Sequence, residues 1–187
     1  NISGKKEKTI VAVAGCVAQA EGEELVKRAP IIDLVFGPLT YHHLPDILQS
    51  FENDNLNNKK AIVDIEPPNE DKFTELPKRL KDNRAISAFL SVQEGCDKFC
   101  SFCVVPYTRG VETSRSFLEI KDEANQLIST GVQEIILLGQ NVNAWSNSNG
   151  KKMDFADLIY ELSLLDLKRI RFTTSHPNDM NLSLIHI

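Results

Sequence analysis

The chain has 187 residues, 42% of them hydrophobic and 25% charged, with a formal net charge of −5, a composition that suits a globular protein with one or two cores. No run of about eighteen apolar residues exists, which excludes a membrane-spanning helix, and the polar, basic Asn1–Lys6 has no secretory pattern. The acidic balance excludes a general polyanion binder, so the basic groups at Lys5, Lys6 and Lys8 and at Lys78, Arg79, Lys81 and Arg84 read as solvated surface. The expected compartment is the cytoplasm, where the four cysteines are ligands or catalysts sooner than disulfides.

Thr9–Ala14 is a short β-branched apolar run, as in a buried parallel strand, and Gly15 ends it. A helix is predicted over 21–29, acidic early and basic at Lys27–Arg28, with Pro30 as its stop. Leu34–Phe36 reads as a second strand, and Leu44–Phe51 as a helix with Leu44, Ile47, Leu48 and Phe51 at helical spacing. Residues 53–84, with an Asn-rich run and Pro67–Pro68, read as a linker holding one short strand at 61–65. A second α/β unit follows. Its predicted strands cover 85–92, 134–138 and 169–173, and its helices 117–130 and 155–165. The first helix is expected to turn Leu118, Ala124, Leu127 and Ile128 to the core. This alternation predicts a parallel βαβαβ unit.

The chemistry sits between the first strand and first helix of that unit. Cys96, Cys100 and Cys103 are spaced C-x3-C-x2-C, so three of only four cysteines fall within eight residues. Three thiolates on one loop can hold three irons of a cubane and leave the fourth iron open to an exogenous ligand. Such a loop at the carboxyl end of a parallel strand is where α/β folds place their ligands. Zinc is the alternative, but it favours four closed ligands, and no second C-x2-C pair exists. A non-catalytic Fe–S or zinc module that binds RNA or protein is therefore the rival reading from another class.

The cysteines sit in a longer signature, and two further blocks accompany it. QEGCDKFCSFCVVPYTRG over 93–110, LLGQNVN over 137–143 and RFTTSHP over 171–177 together resemble the radical S-adenosylmethionine (SAM) methylthiotransferases of the MiaB type. GCVAQ over 15–19 followed by EGEE over 21–24 resembles the end of that family's N-terminal domain. The resemblance implies an α/β chain in two parts. Residues 1–52 would be the C-terminal part of an N-terminal α/β methylthiotransferase domain, and 85–181 the first half of a radical SAM partial (βα) barrel, joined by the linker 53–84. It implies two 4Fe–4S clusters and SAM as cofactors. Cys96, Cys100 and Cys103 would hold the cluster that binds SAM, Cys16 would be one ligand of an auxiliary cluster, and Phe102 would lie against the SAM adenine.

The activity implied is addition of a methylthio group to carbon 2 of N6-isopentenyladenosine beside the tRNA anticodon. Threonylcarbamoyladenosine at the same place is the nearer rival substrate, and an aspartate of a ribosomal protein the farther. Partners implied are tRNA and an electron donor of flavodoxin-like or ferredoxin-like type, with no membrane. Tyr107, Arg109, Gln140 and Asn141 stand at strand ends where SAM or the base could be met, or where they simply order a loop. His176 reads as a structural histidine, His42 and His43 as a helix start, and Trp145 as packing. The six residues 182–187 are what a transposon-end sequencing adapter encodes, so His186 is given no role. With one auxiliary ligand and no RNA-binding β-domain, the chain as given is expected to be an incomplete enzyme.

Overall fold

The computed structural model describes residues 9–53, 60–66, 72–73, 85–147 and 152–186. The basic groups at 5–8 and 78–84, the Pro67–Pro68 pair and most of the expected linker lie outside the described residues. Two compact units divide the chain, Asn1–Pro68 and Asn69–Ile187.

The first unit is built on three short parallel strands, β1 (Ala12–Ala14), β2 (Leu34–Phe36) and β3 (Ile62–Asp64), in the order β1-β2-β3. Val13, Val35 and Val63 stand opposite one another across it. Helices α1 (Cys16–Glu21) and α2 (Glu23–Arg28) connect β1 to β2, and α3 (Leu44–Asn53) connects β2 to β3. Ala18, Ile32 and Val35 are buried, with Val11, Val13, Leu25 and Val63 packed around them. Two expectations change here. The helix predicted over 21–29 is α2, and an unexpected helix, α1, precedes it; the two are separated at Gly22, whose φ of +50° lies outside the helical region. The short strand assigned to the linker is β3, a full member of this sheet.

In the second unit, β4 (Ser87–Ser91), β7 (Glu134–Leu138) and β8 (Arg169–Phe172) form a parallel sheet in the order β4-β7-β8. The crossovers run through α5 (Phe117–Ser129) and α6 (Phe155–Ser163). Ser116 caps α5 by accepting from Glu119 N, and Asp154 and Asp157 form a reciprocal capping box at α6. Leu90, Ile120, Ile135, Leu137, Trp145, Phe155, Leu158 and Leu162 make a fully buried core. The stripe of α5 is Ile120, Ala124 and Leu127, at i, i+4 and i+7. Leu118, expected in the core, is two residues and so about 200° round from Ile120 at 3.6 residues per turn, and it is exposed. Residues 182–186, read as an appended tail, form the short helix α7 (Leu182–His186), whose Leu184 joins this core.

Candidate metal centre

All three loops at the carboxyl edge of the second sheet meet. β4 is followed by β5 (Gln93–Glu94), the cysteine loop, α4 (Val105–Arg109) and β6 (Thr113–Ser114). β5 and β6 pair antiparallel, so residues 95–112 form a loop closed at its base. Gly95 sits at that base with φ +82°, and a Cβ there would lie 1.9 Å from Val111 O, so only glycine fits. Cys96 N donates to Gly110 O at 3.1 Å, and Cys103 N to Cys100 O at 2.9 Å. Asp97 and Glu112 clamp the two sides, Glu112 N donating to Asp97 Oδ1 at 3.2 Å and Asp97 N to Glu112 Oε1 at 3.4 Å.

Cys96 is buried, while Cys100 and Cys103 are partly exposed. Burial pushes the Cys96 thiol up; an N–H of Lys98 pulls it back, and the charges of Glu112, Cys103 and Cys100 add to the rise. Among the described residues, no three His, Cys, Asp or Glu side chains already stand as a metal-ligand set.

Beneath the loop lies a buried polar stitch that the sequence did not single out. Gln93 is 2% exposed. Its Nε2 donates to Gly95 O at 2.6 Å, and its Oε1 accepts from Gln140 N at 2.9 Å and Asn141 N at 3.0 Å. Gly139 leaves room for it: a Cβ at 139 would stand 2.5 Å from Gln93 Oε1. Gln140 Oε1 returns a bond by accepting from Gly95 N at 2.8 Å.

Asn141, offered as a substrate contact, is 1% exposed and fully engaged. Its Nδ2 donates to Glu112 Oε1 at 2.8 Å and Asp179 Oδ2 at 2.7 Å, and its Oδ1 accepts from His176 N at 3.2 Å. It joins the three loops and has no polar atom left for a ligand. Asp179 also pairs with Lys98 of the cysteine loop at 2.9 Å. Burial raises the Asp179 carboxyl, but the hydrogen bonds from Asn141 and Lys98 together outweigh it and hold the group below its ordinary range.

Other candidates divide by exposure. Phe102 is 91% exposed and Tyr107 71% exposed, the latter edge-on to Phe99 at 6.1 Å. Both rings are open to a ligand. Arg109 is committed to an ion pair with Glu94 at 2.7 Å. Buried Lys72, from the stretch read as linker, donates from Nζ to Val111 O, and burial lowers its pKa against the opposing charges of Glu94 and Asp97. Trp145 is buried as expected, its Nε1 donating to Arg115 O at 2.9 Å.

In the first unit, Cys16 is the first residue of α1, set there by Gly15 (φ +99°) directly after β1. Its side chain is partly exposed. In the same unit, His43 Nδ1 pairs with Asp64 Oδ2 at 2.8 Å, and that bond raises the histidine's pKa.

The model of the radical SAM superfamily matches residues 90–184, which takes in the whole cysteine loop and the three converging strand ends. The chain belongs to the radical SAM superfamily. Among curated radical SAM relatives, a tRNA-2-methylthio-N(6)-dimethylallyladenosine synthase of Bartonella henselae is 59% identical over 182 residues, 94% of this chain and 39% of its own length. Proteins of the same name from Bartonella quintana and Cereibacter sphaeroides are each 57% identical, over 182 and 176 residues, again 94% of this chain, and 39% and 38% of their own lengths. The chain therefore spans about two fifths of the length of these relatives.

Membership implies a 4Fe–4S cluster and SAM, and the second unit fits them. Its donor set is three thiols on one loop with a glycine at its base, two of them partly exposed, which suits an iron–sulfur cluster more than a hard cation.

Proposed function

We propose that this chain forms the cluster- and SAM-binding part of a tRNA methylthiotransferase acting on N6-isopentenyladenosine. The observation that carries the reading is the C-x3-C-x2-C loop at the carboxyl edge of a parallel sheet, joined to identity of 57–59% with synthases of that name. Strands β4, β7 and β8 are read as the first three of a partial (βα) barrel. Cys96, Cys100 and Cys103 would hold the 4Fe–4S cluster, which when bound supplies the electron for reductive cleavage of SAM.

The chain's own residues supply position. Gln93, Asn141 and Asp179 lock the three loops, so the cysteines share one rigid base. Phe102 and Tyr107 offer exposed rings on which an adenine, of SAM or of the tRNA, can stack. Arg109, held by Glu94, keeps a cation at the loop's edge without leaving it free to wander. Cys16, at a strand end, is proposed as an auxiliary-cluster ligand. The partners are tRNA and a flavodoxin-like or ferredoxin-like electron donor, and the compartment is the cytoplasm. Among the described residues no helix is long and apolar enough to cross a membrane.

The test is a chimera in which this chain replaces the matching 182 residues of the Bartonella henselae relative. It is expressed in bacteria lacking their own enzyme, and tRNA nucleosides are analysed by mass. Methylthiolated isopentenyladenosine is expected. Methylthiolation of threonylcarbamoyladenosine alone would refute the substrate assignment, and neither product from a cluster-loaded chimera would refute the activity.

A further inference from the structure

His176 follows β8 and stands across from the cysteine loop, its Nε2 3.9 Å from Cys100 Sγ. Its ring has a defined polarity. Asn178 N donates to Nδ1 at 3.2 Å, and a ring nitrogen that accepts carries no proton, so in the neutral imidazole the proton sits on Nε2. That tautomer is assigned from the hydrogen-bond network. The residue is also firmly placed. Its backbone N donates to Asn143 Oδ1 at 2.9 Å and Asn141 Oδ1 at 3.2 Å, and its backbone O accepts from Asn143 Nδ2 at 2.8 Å. Both asparagines are buried.

The geometry points to His176 as a positioning residue that donates its Nε2–H to the Cys100 sulfur and draws negative charge from that ligand. The inference rests on reading Cys96, Cys100 and Cys103 as the cluster ligands. Hydrogen bonds to ligand sulfurs are one of the means by which a protein raises the reduction potential of an Fe–S cluster. Only Cys100 of the three has a ring donor of this kind among the described residues. His176 therefore makes the cluster easier to reduce, favouring electron entry from the donor while lowering the reduced cluster's driving force toward SAM.

The test uses the chain reconstituted anaerobically with ferrous iron and sulfide, compared with His176→Ala and His176→Gln. The alanine removes the donor but keeps the backbone bonds to Asn141 and Asn143. The glutamine keeps an N–H donor of similar reach. Potentials are measured by EPR-monitored redox titration. Reduction of the alanine variant is expected to be about tenfold less favourable, a potential lower by about 59 mV for one electron, with glutamine restoring at least half of the difference. Equal potentials in wild type and alanine, or an equal loss in both variants, would overturn the inference.

SAM is then added to the reduced proteins. It should perturb the EPR signal of wild type and alanine variant alike. Perturbation only in the alanine variant would make His176 a direct fourth ligand and refute the donor role. In the chain without iron, 15N shifts of the imidazole should show the proton on Nε2; a proton on Nδ1 would equally refute it. A wild-type chain that takes up zinc and no iron–sulfur cluster refutes the reading of the site itself, and this inference with it.

Discussion

Replacing Gln93 with methionine keeps the volume and removes every polar contact of the side chain. Three groups lose their partner: Gly95 O, Gln140 N and Asn141 N. Asn141 is fully buried, so its N–H bears the whole cost of an unmade hydrogen bond, about 1–3 kcal/mol. Gln140 is partly exposed, and water can satisfy its N–H in part. Gly95 O loses one acceptor bond of ordinary value, about 1 kcal/mol. Together these give a loss of about 2–4 kcal/mol, a large share of the roughly 5–15 kcal/mol that holds a typical domain. The assay is selective. The chain has one tryptophan, Trp145, buried in the core of the second unit, so its fluorescence in a urea titration reports that unit alone. Hydrogen exchange at the Gln140 and Asn141 amides should accelerate in parallel. A change within about 0.5 kcal/mol, the range of ordinary surface substitutions, with both amides still protected, would refute the stitch.

Gly139→Ala should destabilise the same unit by about 1–3 kcal/mol on the same fluorescence assay, since the new methyl falls 2.5 Å from Gln93 Oε1 and must expel it. His43 should titrate above its ordinary value of about 6.5 by proton NMR, and Asp64→Asn should return it there. Because the folded pKa is raised, the stabilisation is fully present below about pH 6.5 and is lost as pH rises through the folded value; with His43 partly exposed it stays below about 1 kcal/mol. Alanine at Cys96, Cys100 or Cys103 should each abolish the reconstituted thiolate–iron absorption, whereas Cys16→Ala should leave it, as optical spectra and iron counts would show. Adding a strong chelator to the unreduced wild-type chain should bleach the same absorption with loss of iron.

What local pattern determines was legible in the residues themselves. Strand β7 over Glu134–Leu138 and the parallel alternation around it follow from apolar runs and helical spacing. The cysteine spacing was legible as a candidate ligand set, because its three members fall within eight residues. Contacts made across the sheet edge left no such mark. Gln93 reads as an ordinary polar residue until β7 ends opposite it and delivers two backbone N–H groups to one oxygen. Asn141 reads as a possible ligand contact until folding buries it between Glu112 and Asp179, residues 29 and 38 positions away. The pairing of β5 with β6 and the short α4 were missed because two- and five-residue elements carry too little periodicity to register. Leu118 misled because hydrophobicity alone gives no phase; only packing against Ile135 and its neighbours decides which side of α5 faces inward. The sequence by itself therefore determined the longer elements and the close spacing of the three cysteines, whose information is local. Tertiary structure decided which polar side chains are spent on holding the loops together and which, like Phe102 and Tyr107, remain open at the surface, because a buried polar group finds its partners only after distant strand ends have met.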